Sequence, residues 1–468
     1  MQSTPETART ADPPRPAPGA MTSAQRTTLV LASLGFFLIT LDVLIVNLAL
    51  PSIEQDLGGG TSAQQWILDG YTLLFAALLL CAGNLSDRLG ARRAYLLGLA
   101  AFGVASLLCA LAPSAALLIA ARCVQGATAA LMLPASMALV REAFEDPAAR
   151  SRALGIWASG GAVASAAGPL LGGFLSALDW RLIFAVNVPV ILGMLLLAGR
   201  IASSPRRPAP FDLLGQVLAV VGLGALVIGL IEGGESGFGS APILGCFVLA
   251  AVALGGFVLA QARVAHPMMP LTLFRTAPMR IAMFGGFVFI LTWFGTVFLT
   301  SLFLQQQLGL DSGLAGLCFL PSAVMAFVGN VASGHLANRF GTRVPTVLGL
   351  TSMTVGVLGL AVAAGGESVL AITLLIVLVG TGGSLATPPF AGVVLAQAAP
   401  GQAGIASATA NMFRQVGGAL AIAVCGVLIA HSGGFVSGMQ TALVGMAVLG
   451  ALGAGLSLRL GRAASTPA

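Results

Sequence analysis

The chain has 468 residues, of which 57% are hydrophobic and only 8% charged, and its formal charge is +6. About a quarter of the residues in a soluble domain are charged, so this composition excludes a soluble globular protein and indicates a polytopic membrane protein. The basic excess does not make a nucleic-acid-binding face, because the arginines stand singly or in pairs between apolar runs.

The opening stretch, "MQSTPETARTADPPRPAPGA", is rich in Pro, Ala and polar residues and cannot bury a core, which predicts a disordered tail over 1–27. The first apolar run, 28–50, is too long for the core of a signal peptide and lacks a small-residue cleavage site, so it is expected to stay as a membrane span. Within it, "LITLDVLIVNLALP" holds Asp42. A carboxylate at that depth costs roughly 2.5 to 3.5 kcal/mol, so it is either paired with a cation or used for work. The second span, 66–85, places Asp69 one turn inside its end, just before Gly70 and Tyr71. Asp69 reads equally as an interfacial acid with access to water or as a cation-attracting residue at a cavity mouth.

That span runs into "GNLSDRLGARR". Gly83 and Gly90 permit a tight turn and close helix approach, Asp87 can cap or pair across to another part of the chain, and Arg88, Arg92 and Arg93 hold the inner face. Together they predict a conformational latch. Span 94–111 follows, and then 116–140, with Arg122 about two turns in. Arg122 is too deep to snorkel and needs a partner, for which Asp42 is the nearest candidate. A tunable carboxylate facing an arginine favours proton coupling over a permanent ion pair. Span 153–175 carries "GPLLGG", in which Gly168, Gly172 and Gly173 let two helices touch and Pro169 bends the span.

After span 182–199 the basic, proline-rich "SSPRRPAPFD" leads to 213–231 and 241–259, and six more spans follow at 281–304, 313–331, 346–364, 369–394, 405–429 and 441–460. Arg414, in "NMFRQVGG", is expected to snorkel or to bond a carbonyl. Trp157 and Trp293 are candidate aromatic walls of a central cavity, with lipid-facing or core packing as the other reading. The tentative cavity set is Asn47, Tyr71, Gln125, Trp157, Trp293 and Arg414. Trp66 and Trp180 read as interfacial anchors, and His335 as an exposed loop residue. The six cysteines fall singly in apolar runs and suggest neither a metal site nor a disulfide framework. No nucleotide-binding loop, zinc motif or nucleophile elbow is present.

Fourteen spans put both ends on one side. With that side cytoplasmic, every arginine except Arg181, Arg122 and Arg414 falls in a cytoplasmic segment, as the positive-inside rule requires. The chain also repeats: Gly83, Leu85, Arg88 and Gly90 match Gly334, Leu336, Arg339 and Gly341, while Asn338 stands where the first copy has Asp87. Gly126 and Pro134 likewise match Gly380 and Pro388. Spans 1–6 and 9–14 are thus two copies, and spans 7 and 8 read as an inserted hairpin.

These motifs resemble the major facilitator superfamily, specifically its fourteen-span drug:proton antiporter branch. "LDVLIVNLALP" is similar to that branch's first-helix motif, "GNLSDRLGARR" to its loop 2–3 motif, "RCVQGATAA" to its fourth-helix motif and "GPLLGG" to its fifth-helix antiporter motif. "DWRLIFAVNVP" is similar to the sequence entering helix six, and "WILDGYTL" resembles the quaternary-ammonium and multidrug exporters. The expected fold is an all-α polytopic membrane protein with two six-helix bundles and an inserted two-helix hairpin. Its expected boundaries are 28–200 for the first bundle, 201–262 for the linker and hairpin, 263–460 for the second bundle and 461–468 for a cytoplasmic tail.

The resemblance implies a secondary transporter in the cell membrane, not an enzyme, in which Asp42, Arg122 and Asp69 couple protons and alternating access exports lipophilic drugs, dyes or antibiotic-like metabolites. A cation is favoured by the resemblance. The absence of acids in the second half's spans favours a monovalent or neutral molecule instead. The energy source is the proton gradient, with no cofactor and no metal, and the functional unit is the monomer. Two rivals are a transport-inactive sensor or scaffold on the same fold and a proton-coupled importer.

Overall fold

The computed structural model describes residues 21–206, 212–399 and 402–460, so the tail expected at 461–468 and most of the one expected at 1–27 lie outside the described residues. The described part of the N-terminal segment is helical from Ser23, five residues before the expected span. Thr22 caps that helix by accepting from the Gln25 N–H, and Gln25 returns a bond to the Thr22 N–H.

The first bundle contains α1 (Ser23–Ile45), α2 (Leu50–Leu57), α3 (Gly60–Leu89), α4 (Ala91–Ala110), α5 (Ala115–Ala143), α6 (Pro147–Leu178), α7 (Leu182–Ala185) and α8 (Asn187–Leu197). The inserted hairpin is α9 (Leu213–Ser236) and α10 (Ala241–Arg263). The second bundle comprises α11 (Ala277–Leu302), α12 (Ser312–Leu317), α13 (Leu320–Phe340), α14 (Arg343–Ala363), α15 (Val369–Gln397), α16 (Ala403–His431) and α17 (Phe435–Ser457). Among the described residues, thirteen helical segments are long and apolar enough to cross a membrane, and α6, counted as one bent span, is the fourteenth.

Prolines set four of the breaks. A proline lacks an N–H and its ring clashes with the carbonyl four residues earlier. Pro51 stands four residues after Asn47, in the 3-10 turn Val46–Leu48 that separates α1 from α2. Pro169 stands four after Ser165, where α6 bends by 42°. Pro189 and Pro321 stand four after Ala185 and Leu317, the last residues of α7 and α12. Pro134 and Pro388 remain inside continuous helices.

The expected loop at "GNLSDRLGARR" is nearly all helix. α3 runs on to Leu89, and Gly90 alone, at φ +83°, separates it from α4. Gly341, at φ +78°, ends α13 in the same way, because glycine has no Cβ to oppose a positive φ. Close approach, by contrast, does not occur at Gly83 or Gly334, where a Cβ would meet open space. His335 lies on α13 and not in a loop.

The hairpin lies across the seam between the bundles. Val227 and Ile231 of α9 pack with Leu73 of α3 and with Ala419 and Ala423 of α16. Hydrogen bonds fasten α9 to α3 near both ends: Gln216 Nε2 donates to the Ala77 carbonyl (2.8 Å), and Trp66 Nε1 donates to Glu232 Oε1 (2.7 Å). Trp66 is therefore an internal tie, and Trp180 is 4% exposed with its Nε1 donating to Asp56 Oδ2 (3.0 Å), so neither stands as a simple interfacial anchor.

Candidate functional site

Asp42 and Arg122 meet in the first bundle, and both are fully buried. Arg122 Nη1 donates to Asp42 Oδ2, while Asp42 Oδ1 accepts from Gln125 Nε2 (2.8 Å) and Asn187 Nδ2 (3.0 Å). Gln125 Oε1 accepts from Arg122 Nη1 (2.8 Å), and Arg122 Nε donates to the Ile67 carbonyl (2.9 Å). Arg122 and Gln125 stand three residues apart on α5 and so share the face turned to α1. The guanidinium lies 4.5 Å from the Tyr71 ring centre and 5.7 Å from that of Phe184. One ion pair thereby ties α1, α3, α5 and α8 together. Its two charges attract strongly at low local dielectric, and its donors satisfy the carboxylate.

Asn187 and Ser106 belong to this network and were missed from the sequence. Ser106 Oγ accepts from Gln125 Nε2 (2.9 Å) and Asn187 Nδ2 (3.3 Å). Asn187 had one available signal, "AVNVP", where Pro189 breaks the helix and leaves Asn187 as the first residue of α8, and Ser106 had none.

Asp69 is different. It lies nine residues from the start of α3, about 13 Å along the axis at 1.5 Å per residue, and not one turn in. It is fully buried, its Oδ1 accepts from Thr72 Oγ1 (3.1 Å), and its Oδ2 has no hydrogen-bond partner among the described residues. No cation pairs with it among those residues. Gln65, one turn earlier on the same face, donates to the Ile422 and Ala423 carbonyls of α16 (3.2 and 2.9 Å). Asp69 therefore sits at the seam between the two bundles.

The bundles also join at the end of α1. Pro51 has no N–H to offer the Asn47 carbonyl, and Ser301 Oγ of α11 donates to it instead (2.7 Å). The Asn47 amide turns back to the Val43 and Leu44 carbonyls (3.3 and 3.2 Å). On the other flank, Ser312 Oγ donates to the Gly173 carbonyl (3.0 Å). These joints lie toward the face opposite the arginine-rich loops.

The arrangement is that of two helical bundles that meet at a seam within the membrane. A family model for the Major Facilitator Superfamily matches residues 32–422. The chain is 35% identical over 423 residues to the methylenomycin A resistance protein of Bacillus subtilis, covering 89% of this chain and 90% of that protein. It is 37% identical over 414 residues to the multidrug resistance protein Stp of Mycobacterium tuberculosis, covering 88% of this chain and 77% of that one. This chain belongs to the Major Facilitator Superfamily. Its fold matches the crystal structure of a bacterial homologue of the human lysosomal transporter Spinster, in an inward-facing and unoccupied conformation, with a TM-score of 0.65 at 17% identity over 94% of this chain and 97% of that one. The superfamily makes the chain a transporter and not an enzyme.

The remaining predicted residues of the transporter divide by place. Gly168 faces the Leu44 side chain and Gly172 the Ile45 carbonyl, both within the first bundle, while Gly173 faces the Ser312 carbonyl of the second. The Pro169 carbonyl lies against Gly316 of α12. In the expected latch, the Arg92 N–H donates to Ser204 Oγ (3.0 Å) and its Nη2 to the Ala198 carbonyl (3.3 Å), so it holds the segment after α8. Asp87, Arg88 and Arg93 are exposed on the same side, and Arg339 lies over Phe340 at 5.2 Å.

Of the tentative cavity residues, Gln125 is committed to Asp42 and Tyr71 to Arg122, Tyr71 Oη also donating to the Ile39 carbonyl (3.1 Å). Trp157 stacks on Phe36 at 4.4 Å and donates to Ser136 Oγ (3.1 Å). Trp293 packs beside Gly380. Arg414 is half-buried over Phe289 at 5.7 Å, with no partner for its Nε among the described residues.

Proposed function

We propose that this transporter is a proton-coupled antiporter that exports lipophilic drugs, dyes or antibiotic-like metabolites across the cell membrane by alternating access, with its arginine-rich face in the cytoplasm. The export reading is supported by relatives named for methylenomycin A resistance and multidrug resistance, and the orientation by the arginine distribution. Proton coupling is carried by one observation: Asp69, a fully buried acid with one oxygen unbonded among the described residues, stands at the seam where α3 meets α16. Rigid-body rocking of two bundles exposes groups at their interface and leaves groups inside either bundle covered. Asp69 is of the first kind and takes the proton when the outer seam opens. Asp42 and Arg122 are of the second kind and fix the helix that carries Asp69. Each proton that enters down the membrane potential releases about 2.3 kcal/mol per 100 mV, so one or two protons suffice for useful accumulation.

The test is dye and drug accumulation in a pump-deficient host, with and without a protonophore, for the wild type and D69N. Protonophore-sensitive export by the wild type and its loss in D69N at normal protein level are expected. Undiminished proton-driven export by D69N would remove the role given to that acid. No wild-type effect on any compound would remove the export reading itself.

A further inference from the structure

We propose that the cleft between the inserted hairpin and the second bundle binds one phospholipid with an anionic headgroup. The cleft has a volume of about 500 Å³ and is lined by Leu223 of α9, Leu254 and Phe257 of α10, Phe287 of α11 and Met412 of α16, with Arg280 as its one charged residue. Arg280 lies in the first turn of α11 and Phe287 two turns deeper, about 10 Å along the axis at 1.5 Å per residue. The cleft thus descends from the arginine-rich face into the nearer half of a hydrocarbon core about 30 Å thick. Its depth stays within one leaflet.

The charge at the mouth selects the occupant. Arg280 is exposed and has no ion pair among the described residues. Arg263 closes α10, Arg275 lies just before α11, and no Asp or Glu occurs from 263 to 280. Asp212, at the start of α9, is buried and occupied, accepting from the Gly215 N–H and from Gln261 Nε2. An apolar slot contained within one leaflet, with Arg280 at its interfacial end, suits an acyl chain below and a phosphate above. A zwitterionic lipid brings no net charge to that mouth, and a cationic drug brings the wrong one.

The position gives the lipid a consequence. α9 is bonded to α3 of the first bundle, whereas α11 and α16 belong to the second. The acyl chain therefore fills a gap between the hairpin that spans the seam and two helices of the second bundle. This inference concerns the hairpin and does not depend on which cargo is exported.

The experiment is native mass spectrometry of the full chain released from nanodiscs of equal phosphatidylglycerol and phosphatidylcholine. The wild type is expected to retain one phosphatidylglycerol in preference to phosphatidylcholine. R280Q should retain it about fivefold less, from about 1 kcal/mol per arginine at a membrane surface. M412W, which plugs the slot, should retain less still, and R26Q, on the same face but on α1, should match the wild type. Equal retention of the two lipids, or R280Q matching R26Q, overturns the proposal, as does occupancy of the slot by a lipophilic dye indifferent to Arg280. R280Q alters an exposed charge and folds independently of the plug, so the charge test stands alone.

Discussion

Asp42 receives one charged and two neutral donors in a site closed to water, and removing its charge strands Arg122. Breaking one side of a buried ion pair costs about 3 to 5 kcal/mol. D42N is therefore expected to lower the thermal stability and membrane level of the protein, while D69N leaves both near wild type and acts on export. Detergent melting curves of the two variants check this, and equal melting points would sink the division of roles. The pair itself was legible in the sequence, because two opposite charges in apolar spans must find each other. Asn187 and Ser106 were not legible, since a neutral polar residue in a span looks the same whether it bonds a carboxylate or its own helix. The depth of Asp69 was misread for a related reason. Apolar counting began at Trp66, but α3 starts at Gly60, and Ser62, Gln64 and Gln65 of that first turn and a half are buried against other helices.

Among the helices, α6 places two adjacent glycines against different neighbours. A Cβ at Gly172 meets the Ile45 carbonyl of its own bundle, and one at Gly173 meets the Ser312 carbonyl of the other. Overpacking of this kind typically costs about 1 to 3 kcal/mol. G172A should lower the melting temperature, whereas G173A should shift the transporter toward the state in which α6 and α12 part, read as faster labelling of a cysteine at Ser312 from the face opposite the arginine-rich loops. Unchanged labelling in G173A contradicts this. The helix α2 offers a pH test. Arg181 Nη1 and Trp180 Nε1 both donate to Asp56 Oδ2 (2.7 and 3.0 Å), and they hold its carboxyl below the ordinary value of 3.8. A carboxyl lowered in the folded state contributes stability that is present above that ordinary value and lost as pH falls through the lowered one. Hydrogen exchange in α2 should rise below about pH 4, weakly because the group is exposed, and D56N should abolish the dependence. The proline-set breaks could be located from sequence by counting four residues back, but Pro134 and Pro388 would have been counted falsely, because neighbouring helices decide which ring is accommodated.

At the scale of the whole molecule, the fourteen spans and the two copies were readable from apolar runs, arginine placement and matched glycines. What the hairpin touches was not readable, because the apolar residues of α9 that meet α3 and α16 look like those that meet lipid. The consequence lies in an imbalance. α9 lines the α3 and α16 flank from Gln216 to Glu232, and among the described residues the flank of α6 and α12 has no such splint. In a cysteine-free background, spin labels at Phe174 and Leu314 should separate more during turnover than labels at Thr61 and Ala430, and equal excursions would count against it. Under the proposed alternating access the halves swing as the covers of a book do about its spine, so the doorway widens on one side only, that of α6 and α12.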